Sequence, residues 1–169
     1  VYVTVKSDAD NVPWYLFNNL FYGGTLYYRG RGDSDLTLAF DNLFDNTTIT
    51  RGTGGASDYF THGKNGYVGG IVHLQGTSSG GDINISWPAG YQNGPLGNYY
   101  YNTTGNLNGL INADSTRTPA SVGLYHFTVK NDASKEGTDG PNLDIGFHYV
   151  AVNGNGQPVD TDVDGLLDY

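Results

Sequence analysis

Three asparagines, Asn19, Asn42 and Asn65, stand at a constant separation of 23 residues, and each opens a related segment: Asn19-Leu-Phe-Tyr-Gly-Gly, Asn42-Leu-Phe-Asp-Asn-Thr and Asn65-Gly-Tyr-Val-Gly-Gly. A repeat of this length demands a chain that returns to the same place once per period. Two architectures do so, one with helices in each repeat and one with short stacked strands. Glutamate occurs once, as Glu136, methionine and cysteine not at all, while glycine takes 26 positions and tyrosine 14. That composition disfavours helices. Short β-favouring segments, among them Thr25-Leu-Tyr-Tyr, Leu36-Thr-Leu-Ala-Phe, Thr47-Thr-Ile-Thr and Asp82-Ile-Asn-Ile-Ser-Trp, are separated by Gly, Asn, Asp and Ser corners. The expected fold is all-β, a parallel β-helix (β-solenoid) with one coil per 23 residues.

In such a coil, residues one period apart lie about 4.8 Å from each other, so like side chains form ladders. Asn19, Asn42 and Asn65 read as an asparagine ladder, with Leu20 and Leu43, and Phe21, Phe44 and Tyr67, as neighbouring stacks. A second pair, Leu124-Tyr-His-Phe and Gly146-Phe-His-Tyr, sets His126 and His148 at nearly the same spacing, and these read as a second structural ladder. Coils are expected over 1–76, an insertion or irregular coil over 77–121, terminal coils over 122–152, and a linker with an Asp-rich end over 153–169. Residue 1 is Val and the chain lacks Met, as a processed product or fragment would.

The net charge is -9, and seven of those charges come from acids after Lys135, beyond which no Lys or Arg occurs. A chain without a basic patch is unsuited to a phosphate backbone, which excludes nucleic acid as a partner. No apolar run approaches the roughly 20 residues of a membrane span, so membrane insertion is not expected. In the acidic end, Asp160, Asp162, Asp164 and Asp168 alternate around Gly165. This spacing suits the first, third, fifth and ninth positions of a calcium loop, with the Leu166 carbonyl at the seventh; the twelfth-position carboxylate is missing. Ca²⁺ is the expected cofactor.

Trp87, Tyr91, Tyr99, Tyr100 and Tyr101 admit three roles: a stacking platform for sugar rings, a contact surface between chains, or packing. A lyase reading would draw on Arg29, Arg31, Arg51 and Lys64 beside Asp33, Asp35, Asp41 and Asp45, but no spacing among them marks a catalytic set.

The segments Asp41-Asn-Leu-Phe-Asp, Lys64-Asn-Gly-Tyr-Val, Tyr91-Gln-Asn-Gly-Pro-Leu-Gly, Gly123-Leu-Tyr-His-Phe-Thr, Leu143-Asp-Ile-Gly-Phe-His-Tyr-Val-Ala and Asp160-Thr-Asp-Val-Asp-Gly-Leu-Leu-Asp-Tyr together resemble the C-terminal region of large secreted bacterial proteins. The resemblance covers residues 18 to the end. It implies a right-handed parallel β-helix closing in an Asp-Ile-Gly-aromatic-His-Tyr motif, then an Asp-rich calcium segment like thrombospondin type 3 repeats, at an extracellular or cell-surface location. The expected function is a non-enzymatic structural module. No amphipathic capping helix is evident at either end, so open strand edges favour self-association into oligomers or filaments. The alternative is a carbohydrate-active module, lyase-like or glycan-binding, with polysaccharide as partner.

Overall fold

The structure, a computed structural model, describes residues 2–6, 14–29, 37–52, 60–114, 117–160, 164–166 and 168. The chain is mostly β and forms two compact units, Val1–Pro88 and Ala89–Tyr169.

Among its described residues the first unit holds eleven strands: β1 (Tyr2–Lys6), β2 (Tyr15–Phe17), β3 (Leu20–Tyr22), β4 (Thr25–Arg29), β5 (Thr37–Phe40), β6 (Leu43–Asp45), β7 (Thr48–Arg51), β8 (Phe60–Gly63), β9 (Gly66–Val68), β10 (Thr77–Ser78) and β11 (Ile83–Ile85). They pair in three sheets of order β1-β4-β7, β10-β8-β5-β2 and β11-β9-β6-β3. All these pairings are parallel. From β1 to β9 successive strands therefore go to successive sheets, and each turn of chain lays one strand on the equivalent strand of the turn before; after β9 the chain passes to the second sheet without a strand in the first. Leu20 pairs with Leu43 and Leu43 with Gly66, which is the 23-residue period read as register.

Corner chemistry enforces that period. Asn18, Asp41 and Lys64, each preceding a ladder asparagine, have φ of 54°, 58° and 54°, and a second set, Gly23, Asn46 and Gly69, has 68°, 51° and 76°. These left-handed residues, on either side of a three-residue strand, bend the chain at the same two places each time, and Gly24 and Gly70 extend the second bend. Asn and Asp tolerate this region better than most side chains, which fits them to corners.

The core is built of the same columns. Val3, Leu26 and Ile49 lie in register across sheet one. The Phe21 and Phe44 rings stack at 5.0 Å and 8°, and Phe44 on Tyr67 at 5.2 Å and 14°. Phe44 and Tyr67 are wholly buried. Burial of such rings supplies about 25 cal/mol per Å² of apolar surface, and the stacked geometry adds roughly 0.5–1.5 kcal/mol per pair.

Stacking does not stop at residue 76, where the sequence places an insertion. Thr77 pairs with Thr61 and Ile83 with Gly66, so β10 and β11 extend two of the sheets, but the ladder step shortens from 23 to 17 residues. The period is lost while the sheet continues.

The second unit departs from the expected terminal coils over 122–152. Strands β12 (Gln92–Gly94) and β13 (Gly97–Tyr100) form an antiparallel hairpin, and β14 (Phe127–Thr128) pairs antiparallel with β15 (Tyr149–Val150). The rest of its described residues form short 3-10 turns at Asn106–Leu110 and Pro119–Val122, one α-helical turn, α1 (Glu136–Asp139), and irregular chain. Tyr100, Tyr101, Leu107, Leu110, Val129, Leu143 and Ile145 form its buried interior.

Candidate metal centre

The only glutamate of the chain points inward. In α1, Glu136 and Asp139 are three residues apart and so share one face of the turn. The extended segment that follows brings Asp144 onto that face, and ligand oxygens of Glu136, Asp139 and Asp144 lie within 4.8 Å of one another. Glu136 and Asp144 are fully buried. The Asp144 backbone N–H donates to Glu136 Oε2 at 3.1 Å, and the Asn112 N–H donates to Asp144 Oδ1 at 2.5 Å. His148 Nε2 lies 3.0 Å from Glu136 Oε1, and Lys130 Nζ pairs with Asp139 Oδ2.

The electrostatics follow from burial. Desolvation pushes the Glu136 carboxyl up to about 7 despite the hydrogen bonds from Asp144, and Asp144 up to about 8, reinforced by the charge of Glu136. Buried His148 is pushed down to about 4, which favours neutral imidazole. Like carboxylates this close cannot both ionise cheaply, so at neutral pH the cluster retains protons unless a cation replaces them. The triad could hold a metal ion. Its oxygen donors suit a hard divalent cation better than a soft one. Asp139 Oδ1, buried and accepting no hydrogen bond among the described residues, is a free ligand position.

Of the alternating aspartates, Asp160 and Asp164 accept from backbone amides of the exposed turn 164–166. Asp160 Oδ2 accepts from the Gly165 N–H at 3.1 Å, and Asp164 Oδ1 from the Leu166 N–H at 2.7 Å. Asp160 Oδ1 has no hydrogen-bond partner among the described residues. Asp168 is engaged elsewhere, with its Oδ2 3.0 Å from Lys135 Nζ and 3.5 Å from His126 Nδ1. Asp162 lies outside the described residues.

The expected asparagine ladder forms. Asn19 Nδ2 donates to Asn42 Oδ1 at 3.0 Å, and Asn42 Nδ2 to Asn65 Oδ1 at 3.0 Å; the backbone N–H of each donates to the same oxygens. Asn65 then donates from its backbone N–H to Asp82 Oδ1 at 3.0 Å, so a carboxylate ends the column. Burial works to raise Asp82, but hydrogen bonds from His62 and Asn65, with the nearby His62 and His73, hold it below the usual carboxylate value. The ring column ends at the same place, with His73 stacked on Tyr67 at 3.8 Å.

His126 and His148 do not form a ladder. Their segments lie antiparallel, His126 facing Ala151 through its carbonyl, so the 22-residue spacing is not a coil. The tyrosine run also divides. Tyr100 stacks on Tyr149 at 4.1 Å and Tyr101 donates to the Ile145 carbonyl at 2.6 Å, both within the interior. Tyr99, packed edge-on against Tyr91, is 36 % exposed and Trp87 72 %. Strand alternation explains the split at Tyr99 and Tyr100.

Glu136, Asp139 and Asp82 escape a reading by motif because the first two belong to no repeat and the third breaks one. The available signal was Glu136 itself, a lone glutamate shortly before an Asp144 and His148 embedded among apolar residues. Compared with protein-family profiles, curated proteins and solved structures, the chain matches none.

Proposed function

We propose that this chain is a non-enzymatic structural module of a secreted or cell-surface bacterial protein, a right-handed parallel β-helix that assembles into oligomers or filaments with Ca²⁺ as support. The observation that carries the reading is the uniform parallel register of the first unit, which leaves β1, β2 and β3 at the edges of their sheets. Edge strands present unpaired N–H and C=O groups and favour addition of further strands.

Cation support rests on two acidic groups. Glu136, Asp139 and Asp144 would hold Ca²⁺ in the interior of the second unit, where the ion would take over the role of the protons at higher pH. Asp160, Asp164 and the Leu166 carbonyl would hold it in the acidic end, joined by Asp162 as its spacing suggests, and by Asp168 once Lys135 and His126 release it. The burial of the triad favours structure over catalysis, since buried carboxyls offer no surface to a polymer substrate.

The test is light scattering and electron microscopy of the purified chain with Ca²⁺ and with EDTA. Oligomers or fibres whose thermal stability falls in EDTA are expected; a monomer indifferent to EDTA would overturn both parts. A glycan-binding alternative keeps support from Trp87 and Tyr99, the exposed aromatics. It predicts glycan-array binding that Trp87→Ala removes without altering assembly. Tyr100→Ala is unsuited to that test because Tyr100 is part of the interior.

A further inference from the structure

The asparagine column has a direction. Each asparagine donates twice, from its backbone and its side chain, to the Oδ1 of the asparagine one turn later in the sequence. The first member, Asn19, therefore donates to Asn42 but receives nothing: no described residue donates to Asn19 Oδ1. The neighbouring apolar residues show the same step. Leu43 and Phe44 are completely buried by the turn that precedes them, while Leu20 and Phe21 are only partly covered. The last member is different again. Asp82 replaces the asparagine: its carboxylate accepts from Asn65 and pairs with His62, and of an asparagine's two donors it keeps only the backbone N–H.

We infer that the face formed by β2, Asn19 and β3 is a docking site for an Asn-bearing turn of the same repeat donated by a separate polypeptide: a strand, a left-handed corner residue, Asn, and a second apolar strand. The complementarity is specific at three points. The incoming asparagine supplies the two donors that Asn19 Oδ1 lacks, while its Leu and aromatic neighbours cover Leu20 and Phe21 as these cover Leu43 and Phe44. Backbone pairing along the edges of β2 and β3 adds the parallel hydrogen bonds that strand addition uses. The tail of a second copy fits this description less well. Asp82 could offer only its backbone N–H, and would set a carboxylate oxygen against the Asn19 acceptor where the side-chain donor belongs. The stack thus has an accepting face and a weaker donating one, so a second copy's tail adds to that face less tightly than an Asn-bearing turn does.

This deepens the assembly reading, resting on it for the exposure of the first-turn edge, and specifies what that edge accepts. The probe is a fluorescein-labelled peptide with the sequence of residues 37–52, titrated with the folded chain and followed by anisotropy. Saturable binding is expected, weakened about tenfold when Asn42→Leu is made in the peptide, which leaves the protein untouched, and similarly by Asn19→Ala in the chain, with its fold checked by circular dichroism. Asp82→Asn, which restores an amide at the tail, should shift the chain toward larger particles in light scattering. Absence of peptide binding to the folded chain, or binding indifferent to both asparagine changes, overturns the inference. If the chain forms particles while the peptide does not bind, assembly stands and this inference falls. If the peptide binds and the chain stays monomeric with Ca²⁺, the docking site stands and the assembly reading falls.

Discussion

The two units bury polar groups in different ways. In residues 1–88 the repeated polar column is made of neutral amides that bond to one another turn by turn and end on the carboxylate of Asp82 beside His62 and His73, while Asp41 and Asp45 are buried as well. In residues 89–169 the buried polar groups are ionisable and unlike, with Glu136, Asp139, Asp144, His148 and Lys130 drawn together by an irregular chain. A neutral column is indifferent to pH and salt. A carboxyl cluster couples folding to protons and cations. Repetition thus gives the first unit its stability, and chemistry gives the second its dependence on conditions.

The contrast can be broken most forcefully at the stacked rings. Phe44→Ala removes the middle of the Phe21, Phe44 and Tyr67 column and should cost roughly 3–5 kcal/mol. Both tryptophans, Trp14 and Trp87, belong to the first unit, so urea unfolding followed by tryptophan fluorescence reads this loss. A change under 1 kcal/mol would show that the column is not continuous. Next comes Asn42→Ala, which strands the Asn19 N–H and the Leu16 and Phe40 carbonyls. It should cost about 2–4 kcal/mol, more than Asn19→Ala at the open end of the same ladder. Equal costs would mean that the ladder has no direction.

A pH series sharpens the comparison from the other side. Glu136 and Asp144, raised to about 7 and about 8, keep protons in the folded state that the unfolded chain has released. Their contribution is fully present below the unfolded carboxyl values and is lost as pH rises through 7 to 8. His148, lowered to about 4, acts in the opposite sense, but its gain is complete by about pH 6.5, the ordinary histidine value. From about pH 6.5 to 8 the second unit should therefore lose roughly 1–2 kcal/mol, read by amide exchange at Asp144 and Ile145, and millimolar Ca²⁺ at pH 8 should restore it. Glu136→Gln should flatten the profile. A first unit that moved as much as the second over this range would erase the distinction. The smallest expected effect is at the surface. Trp87→Ala should change stability by no more than about 0.5 kcal/mol, because the indole is largely exposed.

What could be read from the sequence follows the same division. The asparagine period specified the register of β3, β6 and β9 residue by residue, because identical spacing in a stack is identical position in space. The corners were legible as Asn, Asp and Gly, although Lys64 takes the same left-handed conformation without any such mark. The step to Asp82 was hidden because a turn shortened from 23 to 17 residues keeps the sheet and destroys the period. In the second unit a spacing of 22 between His126 and His148 imitated a coil, but an antiparallel return separates them. The triad was illegible for a different reason. Its members meet through the path of α1 and the extended chain after it, and no local pattern encodes that path.

The paired left-handed corners have one more consequence. Because Asn18, Asp41 and Lys64 bend the chain at equivalent points, the segment between two of them is an interchangeable part. Duplicating or deleting one whole turn, cut at those corners, would lengthen or shorten the stack while leaving every column in register. An insertion of any other length would have to be absorbed outside the strands. The molecule can thus change size in quanta of one turn, a route to new lengths that needs no new packing solution.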